Sequence, residues 1–172
     1  MNIIEVTREI LNGFQGIGQF GNPESIHIDY TDSTPDSYGL SSIGDTLISE
    51  DITGNQLRQH NFVMYSVTHS FNDYSRLMNS SFLLDLGYYL EKVKGIEFDV
   101  HARELGTVVC DDNLYPDENL YPNGEVESKK AILTRITSAN GMMFEVLDDD
   151  MNEGVRYQLQ IYVQYEVESE DF

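Results

Sequence analysis

The sequence predicts an α+β protein in which a mostly antiparallel sheet packs against one long and one short helix. Three observations predict it. Residues 155–167 alternate, with Val155, Tyr157, Leu159, Ile161, Val163, Tyr165 and Val167 on one side and mainly Arg, Gln and Glu on the other. A strand buried on one face reads this way. Residues 72–94 instead repeat their apolar positions at helical spacing. Runs of strands broken by one main helix indicate a sheet with its helices segregated to one face. A chain of 172 residues, 40% hydrophobic, suits one domain over 1–172 with a sizeable core.

Each element has a local signal. Ile3, Val6, Ile10 and Leu11 mark a short amphipathic helix over 2–12 that ends near Gly13. Glycines 13, 16, 18 and 21 then form a connector closed by Asn22-Pro23, before a half-buried strand over Ile26–Tyr30. Thr31–Ser37 has turn composition, and Tyr38–Ile43 is a second strand. Gly44–Asn55, with Asp45, Glu50 and Asp51, reads as a polar loop or hairpin excursion. Gln59–Phe71 is apolar on both faces at Phe62, Val63, Met64, Tyr65 and Val67, as in a central strand covered on both sides.

The long helix begins at an Asn72 or Asp73 cap and runs to about Lys94. Its expected stripe is Leu77, Met78, Phe82, Leu86, Tyr89, Leu90 and Val93, with Gly95 just past the end. Residues 96–128 lose periodicity and read as a long acidic loop, in which Asp111–Pro116 is partly echoed by Glu118–Pro122. Loops of that length are uncommon without a task of their own. Ala131–Ser138 and Met142–Leu147 read as strands joined by a type I′ turn at Asn140-Gly141. Asp148–Gly154 is an acidic turn into the final strand, and the acidic tail Glu168–Phe172 frays.

Composition narrows the chemistry. Thirty Asp and Glu stand against ten Lys and Arg, a net charge of −20. Such a surface repels nucleic acid and anionic membranes at close range. It suits a well-solvated protein, a partner for basic surfaces, or a wall past which DNA slides. No apolar window is long enough to span a membrane, and the acids within Met1–Ile10 argue against a secretory signal. The single cysteine, Cys110, permits no internal disulfide, and Asp111 and Asp112 beside it discourage a thiolate.

No metal or cofactor is expected. Asp148, Asp150 and Asn152 match the first ligand positions of a calcium loop. Glu153 then stands where the turn needs glycine, and Leu159 where the bidentate glutamate belongs. Histidines 27, 60, 69 and 101 lack zinc-ligand spacing, and no nucleophile elbow, phosphate loop or dinucleotide fingerprint occurs. Catalytic residues are therefore expected to be none.

The final strand points to assembly. Its 13 residues span about 43 Å, long for a small domain. Its second face is polar yet nearly uncharged through Gln158, Gln160 and Gln164, which suits either water or a neighbouring subunit.

Several segments together resemble the tail terminator, or minor capsid-type, proteins of long-tailed phages, prophages and phage-tail-like bacteriocins. They are Tyr38-Gly39-Leu40 leading to Ile43, then Ile52-Thr53-Gly54-Asn55-Gln56-Leu57-Arg58-Gln59-His60-Asn61-Phe62. Next come a helix bearing Phe82 and the strand Arg156-Tyr157-Gln158-Leu159-Gln160 with Tyr165. The match follows nearly the whole chain in order. The helix end Leu90-Glu91-Lys92 lacks the tryptophan that relatives often carry, and the loop around 96–128 is longer and more acidic than theirs.

The resemblance implies a tail-terminator-like fold and a non-enzymatic structural protein. It implies a homo-hexameric ring, assembled in the bacterial cytoplasm, that caps the tail tube, stops its elongation and presents a head- or collar-facing end. Implied partners are further copies of the chain, the tail tube protein, the sheath and the head–tail connector; DNA passes only as cargo, and no membrane is involved. Candidate contact regions are Gly44–Asn55, Asp111–Gly124 and the last strand. Within them Glu50, Asp51, Arg58, Tyr115, Tyr121, Arg156, Gln158 and Gln160 are candidate subunit or tube contacts. Arg58 and Arg156 would form ion pairs across subunits or, equally, within the chain. The competing readings are an acidic DNA mimic that occupies a basic groove, and an enzyme whose site has no sequence signature.

Overall fold

Asn2 caps the first helix. Its side-chain oxygen accepts from the backbone N–H groups of Ile4 and Glu5 at 3.0 and 2.9 Å. The Glu5 carboxylate accepts in return from the Asn2 N–H at 2.9 Å. This reciprocal box satisfies donors that have no partner inside the helix. Helix α1 (Ile3–Asn12) buries Val6, Thr7, Ile10 and Leu11. The computed structural model describes residues 1–15, 17, 26–31, 37–69, 72–101, 128–149 and 152–168. After α1 come β1 (Ile26–Ile28), β2 (Ser37–Glu50), β3 (Gln56–His69), α2 (Asp73–Leu90), β4 (Glu97–His101), β5 (Ser128–Asp149) and β6 (Asn152–Val167).

The strands form one six-stranded sheet in the order β1-β2-β3-β6-β5-β4. With the two helices this is a mixed α+β fold. β1 runs parallel to β2, and the other neighbouring pairs are antiparallel. At the centre β3 and β6 pair without interruption from Gln56↔Val167 to His69↔Gly154. The alternation in β6 sends Val155, Tyr157, Leu159, Ile161, Val163, Tyr165 and Val167 into the core. Facing them across the register on β3 are Phe62 and Met64, both buried. Both helices cover this face: Leu83, Leu86 and Leu90 of α2 join Val6, Ile10 and Leu11 of α1 in one cluster. Phe14 sits against Phe82 and Tyr89, and the Tyr89 hydroxyl donates to the Ile10 carbonyl at 3.1 Å.

Several expectations are corrected. Of the two readings of Gly44–Asn55 the hairpin holds and the loop does not: Gly44–Glu50 is the outer half of β2, paired with β3 as far as Glu50↔Gln56. Register shifts between Ser42 and Gly44 and between Leu47 and Ser49 each insert an extra residue, Ile43 and Ile48. Bulges erase the period of two by which a strand is read. Asn140-Gly141 likewise makes no hairpin: β5 runs straight through, and the pair sits at a bulge between Ala139 and Met142. A type I′ turn needs positive φ at both central residues, and of the two only Asn140 has it, at 55°. The chain reverses later, with Asp149 facing Asn152. Glu97–His101, expected within the loop, is strand β4, paired with β5.

Helix α2 is shorter than expected. It stops at Leu90, where Lys92 and Val93 donate back only three residues, to Tyr89 and Leu90. Such tight bonds close the last turn. Gly95 then takes φ 75° and donates to the Leu133 carbonyl at 2.7 Å, which turns the chain onto the sheet. The N-terminal half of the stripe also fails. Leu77 and Met78 are 64% and 53% exposed, while Leu83, absent from the stripe, is buried. Residues 102–127, most of the expected acidic loop, lie outside the described residues, as do residues 169–172 of the tail.

The helix makes a direct comparison available. Leu86→Ala empties a fully buried position and is expected to cost about 2–5 kcal/mol. Leu77→Ala removes an exposed side chain and is expected to change stability by less than about 0.5 kcal/mol. Urea denaturation of the two variants checks the assignment.

Candidate functional site

The principal polar cluster lies where β2, β3 and β6 run side by side. Cross-strand register brings Asp45 opposite His60, and Arg58 opposite Tyr165. Arg58 Nε donates to Asp45 Oδ1 at 3.0 Å, and the Tyr165 hydroxyl donates to Asp45 Oδ2. Arg58 Nη1 also donates to Gln56 Oε1 at 3.0 Å, and Gln56 Nε2 to Glu50 Oε2 at 2.9 Å. The Asp45 carboxylate is thus held by one cation and one phenol from two different strands. The Tyr165 ring packs edge-on against Phe98 of β4, at 5.2 Å between centroids.

The titration behaviour follows from this packing. Burial, then the neighbouring Asp45 carboxylate, pushes the Tyr165 phenol well above its usual range, so it serves as a donor at neutral pH. Burial holds His60 below its ordinary value of 6.5 and outweighs the opposing attraction of Asp45. His60 is therefore neutral near pH 7, and its 3.8 Å approach to Asp45 is a dipolar contact, not an ion pair. Its Nε2 lies 2.7 Å from Ser42 Oγ, and its ring lies over Phe62 at 4.4 Å.

The residues singled out from sequence separate into groups. Arg58 joins the junction and pairs within the chain. Arg156 also pairs within the chain, with Nη1 at 2.7 Å from Glu145 Oε2 on β5. Glu50 is held by Gln56 as above. Asp51 organises the turn after β2: its Oδ1 accepts from the Thr53 N–H at 2.8 Å, the Thr53 hydroxyl at 2.6 Å and the Asn55 N–H at 3.0 Å. The Thr53 hydroxyl leads the causes that lower the Asp51 pKa from 3.8. Gln158 and Gln160 lie half-buried on the sheet face away from the helices. Tyr115 and Tyr121, with the rest of Asp111–Gly124, lie outside the described residues.

That second sheet face carries its own polar ladder. Gln164 donates to Gln59 at 3.1 Å and Gln59 to Asn61 at 2.9 Å. Gln160 accepts from Tyr162 and from Asn140, both at 2.7 Å. Amides bonded to one another present a flat, uncharged hydrogen-bonding surface in an otherwise acidic protein. On the helix side, a cleft of about 460 Å³ opens between α2 and the sheet, lined by Phe14, Tyr38, Met78, Phe82 and Tyr157 with the Ser66 and Thr68 hydroxyls. It offers apolar contact and hydroxyl hydrogen bonds.

Sequence reasoning missed Asp45, His60 and Ser42 as a unit with Arg58 and Tyr165. They are far apart in the chain and meet only through strand register. It also missed the exposure of Ile43, Leu47, Ile48, Met142, Met143, Phe144 and Val146: Leu47 and Ile48 fell within the expected polar loop or hairpin excursion, and the others within expected strands. Among the described residues no group of His, Cys, Asp and Glu is placed to hold a metal ion, and no helix is long and apolar enough to cross a membrane.

Together these features define a single-sheet α+β protein with a charged three-strand junction and an amide-rich sheet face. Comparison with models of known protein families finds no match, and comparison with curated proteins finds none either.

Two outcomes test the junction. Asp45→Asn removes the ionised acceptor of Arg58 and Tyr165 and is expected to cost about 1–3 kcal/mol in urea denaturation. Because the folded-state pKa of His60 is depressed, its contribution to stability is present above 6.5 and is lost as pH falls through the folded value. His60→Gln is therefore expected to flatten the pH dependence of stability below 6.5 relative to the parent protein, read as denaturation midpoints at matched ionic strength.

Proposed function

We propose that this chain is a ring-forming tail terminator of a long-tailed phage or phage-tail-like particle. It works as a structural subunit without catalysis. Six copies would close a ring on the end of the tail tube, stop its elongation and present the face that meets the connector or collar. The mostly antiparallel sheet with one long and one short helix is the tail-terminator-like architecture in this reading.

One observation carries it. The two segments most similar to that family, Gly54–Phe62 and Arg156–Gln160 with Tyr165, lie on adjoining strands β3 and β6 in continuous register, and their Arg58 and Tyr165 share the Asp45 carboxylate. Motifs a hundred residues apart thus build one structural unit. The amide ladder and the long strands supply surfaces suited to contact between subunits. A net charge of −20 suits a conduit through which DNA passes without finding cations. Assembly would take place in the bacterial cytoplasm, with the tail tube protein, sheath and connector as partners.

The test is the mass of the purified chain by light scattering on a sizing column, followed by electron microscopy with tail tubes. Expected is a hexamer in solution, or rings that appear only at tube ends. A monomer indifferent to tubes overturns the proposal and favours the acidic DNA mimic, whose partner would be a basic nucleic-acid-binding protein.

A further inference from the structure

Among the described residues, the two long strands β2 and β5 each leave half of one edge without a paired strand. On β2, β1 pairs only with Tyr38–Leu40. From Ser41 to Glu50 the strand has β3 on one side and, among the described residues, no strand on the other. On β5, β4 pairs only with Ser128–Ile132, and Gly95 and Ile96 close the edge at Leu133. Further along, α2 leans on β5 where Gly87 meets Ser138 and Leu83 meets Gly141. The run Met142–Asp149 extends clear of both. Edge strands carry unpaired N–H and C=O groups and are ordinarily short, charged or covered.

Both runs are instead apolar. Ile43, Leu47 and Ile48 on β2, and Met142, Met143, Phe144 and Val146 on β5, are between 43% and 63% exposed. The one acid flanked by these β5 side chains, Glu145, is already held by Arg156.

Resting on the ring reading above for closure of the assembly, we infer that Ser41–Glu50 of one copy pairs, strand to strand, with Met142–Asp149 of the next. Three features of the fold select this partner. First, β2 and β5 are separated by three antiparallel pairings, β2–β3, β3–β6 and β6–β5, so they run in opposite directions. A neighbour in the same orientation presents its β5 antiparallel to β2 and continues the sheet.

Second, the short strands β1 and β4 block opposite ends. β1 lies beside the end of the sheet where Val67 faces Arg156, and β4 beside the end where Gln56 faces Val167. The open runs are therefore diagonal to each other, and two copies offset along the strands lap together without collision. Third, antiparallel pairing sets Asp148 and Asp149 beside Ser41 and Ser42, far from Glu50 and Asp51. In that register Asp45 comes level with Glu145, each already paired with an arginine of its own chain, and Leu47 comes level with Met143. A symmetric pairing of like edges would leave the other edge open on every copy. Only the heterologous pairing covers both edges at once; its repetition closes a ring when the rotation between copies divides a full turn, as the ring reading above requires, and gives an open filament otherwise.

The test uses the full chain with Cys110→Ser and a short thiol-reactive cross-linker. A chain carrying Leu47→Cys and Met143→Cys, which share the face of Tyr165 and Tyr157, is expected to give a ladder extending beyond dimer. Each single-cysteine chain alone is expected to give none, and a mixture of the two singles to stop at the mixed dimer. Leu77→Cys with Met143→Cys serves as the collision control, since Leu77 is more exposed than Leu47 but lies on α2. Self-linked dimers of either single variant, or a ladder no stronger than the control, overturn the inference. A hexamer by light scattering without the ladder would discard these edges and leave the ring standing. The ladder without capping of tubes would keep the edges and discard the terminator reading. Leu47→Lys with Met143→Lys, both at exposed positions, is expected to shift the mass to monomer while the far-ultraviolet circular dichroism stays that of the folded chain; retention of the multimer counts against the edges.

Discussion

The uninterrupted pairing of β3 with β6 is the constraint on which the rest of this structure depends. Fourteen residues of β3 run against β6 with no register shift, a length of about 47 Å at the usual rise per residue. In a sheet with one face buried, a slip of one residue would turn every apolar side chain of β6 towards the wrong face. Tyr165, Ile161 and Leu159 therefore lock the register as firmly as the backbone bonds do. That register is also what aligns Arg58 with Tyr165 and delivers both to Asp45.

The flanking strands are adjusted to this rigid pair by bulges. β2 inserts Ile43 and Ile48, and β5 has register shifts around Thr134, Asn140-Gly141 and Phe144. Each extra residue bends and twists its strand locally. The bulges let the flanking strands follow the central pair, and those at Ile43, Ile48 and Phe144 lie in the outer halves of β2 and β5. Leu47, Met143 and Val146 share the face of Tyr165, Tyr157 and Val155 across the register, yet they stand exposed in the arms of the sheet.

Charge is handled by local pairing. With ten cations against thirty acids, two arginines pair carboxylates across strands. Arg58 holds Asp45 across β2 and β3, and Arg156 holds Glu145 across β5 and β6. Asp45 has a second donor in the phenol of Tyr165. Exposed acids such as Asp51 are stabilised instead by hydroxyl and amide donors of their own turn. The amide face of β3 and β6 carries no such charges at its centre, and it differs in this from the rest of the surface.

The α+β class, the first helix, the start of the second, the central place of β3 and the inward face of β6 were all legible in the sequence. In each of these segments a single periodicity runs unbroken against one core, so local pattern and tertiary burial agree. Where the period is interrupted, sequence reasoning stopped short: the outer half of β2 read as either a polar loop or a hairpin excursion, and Asn140-Gly141 read as a turn. A bulge and a turn use the same residues, and only the length of the strand opposite decides between them. The exposure of Leu77 and Met78 was likewise illegible, because amphipathic spacing reports a helix face but not how far the sheet beneath it extends. Arg58 and Arg156 were visible as candidates from their type alone. Their partners, Asp45 and Glu145, stand across hairpins and were chosen by bulged strand register, which no local pattern encodes.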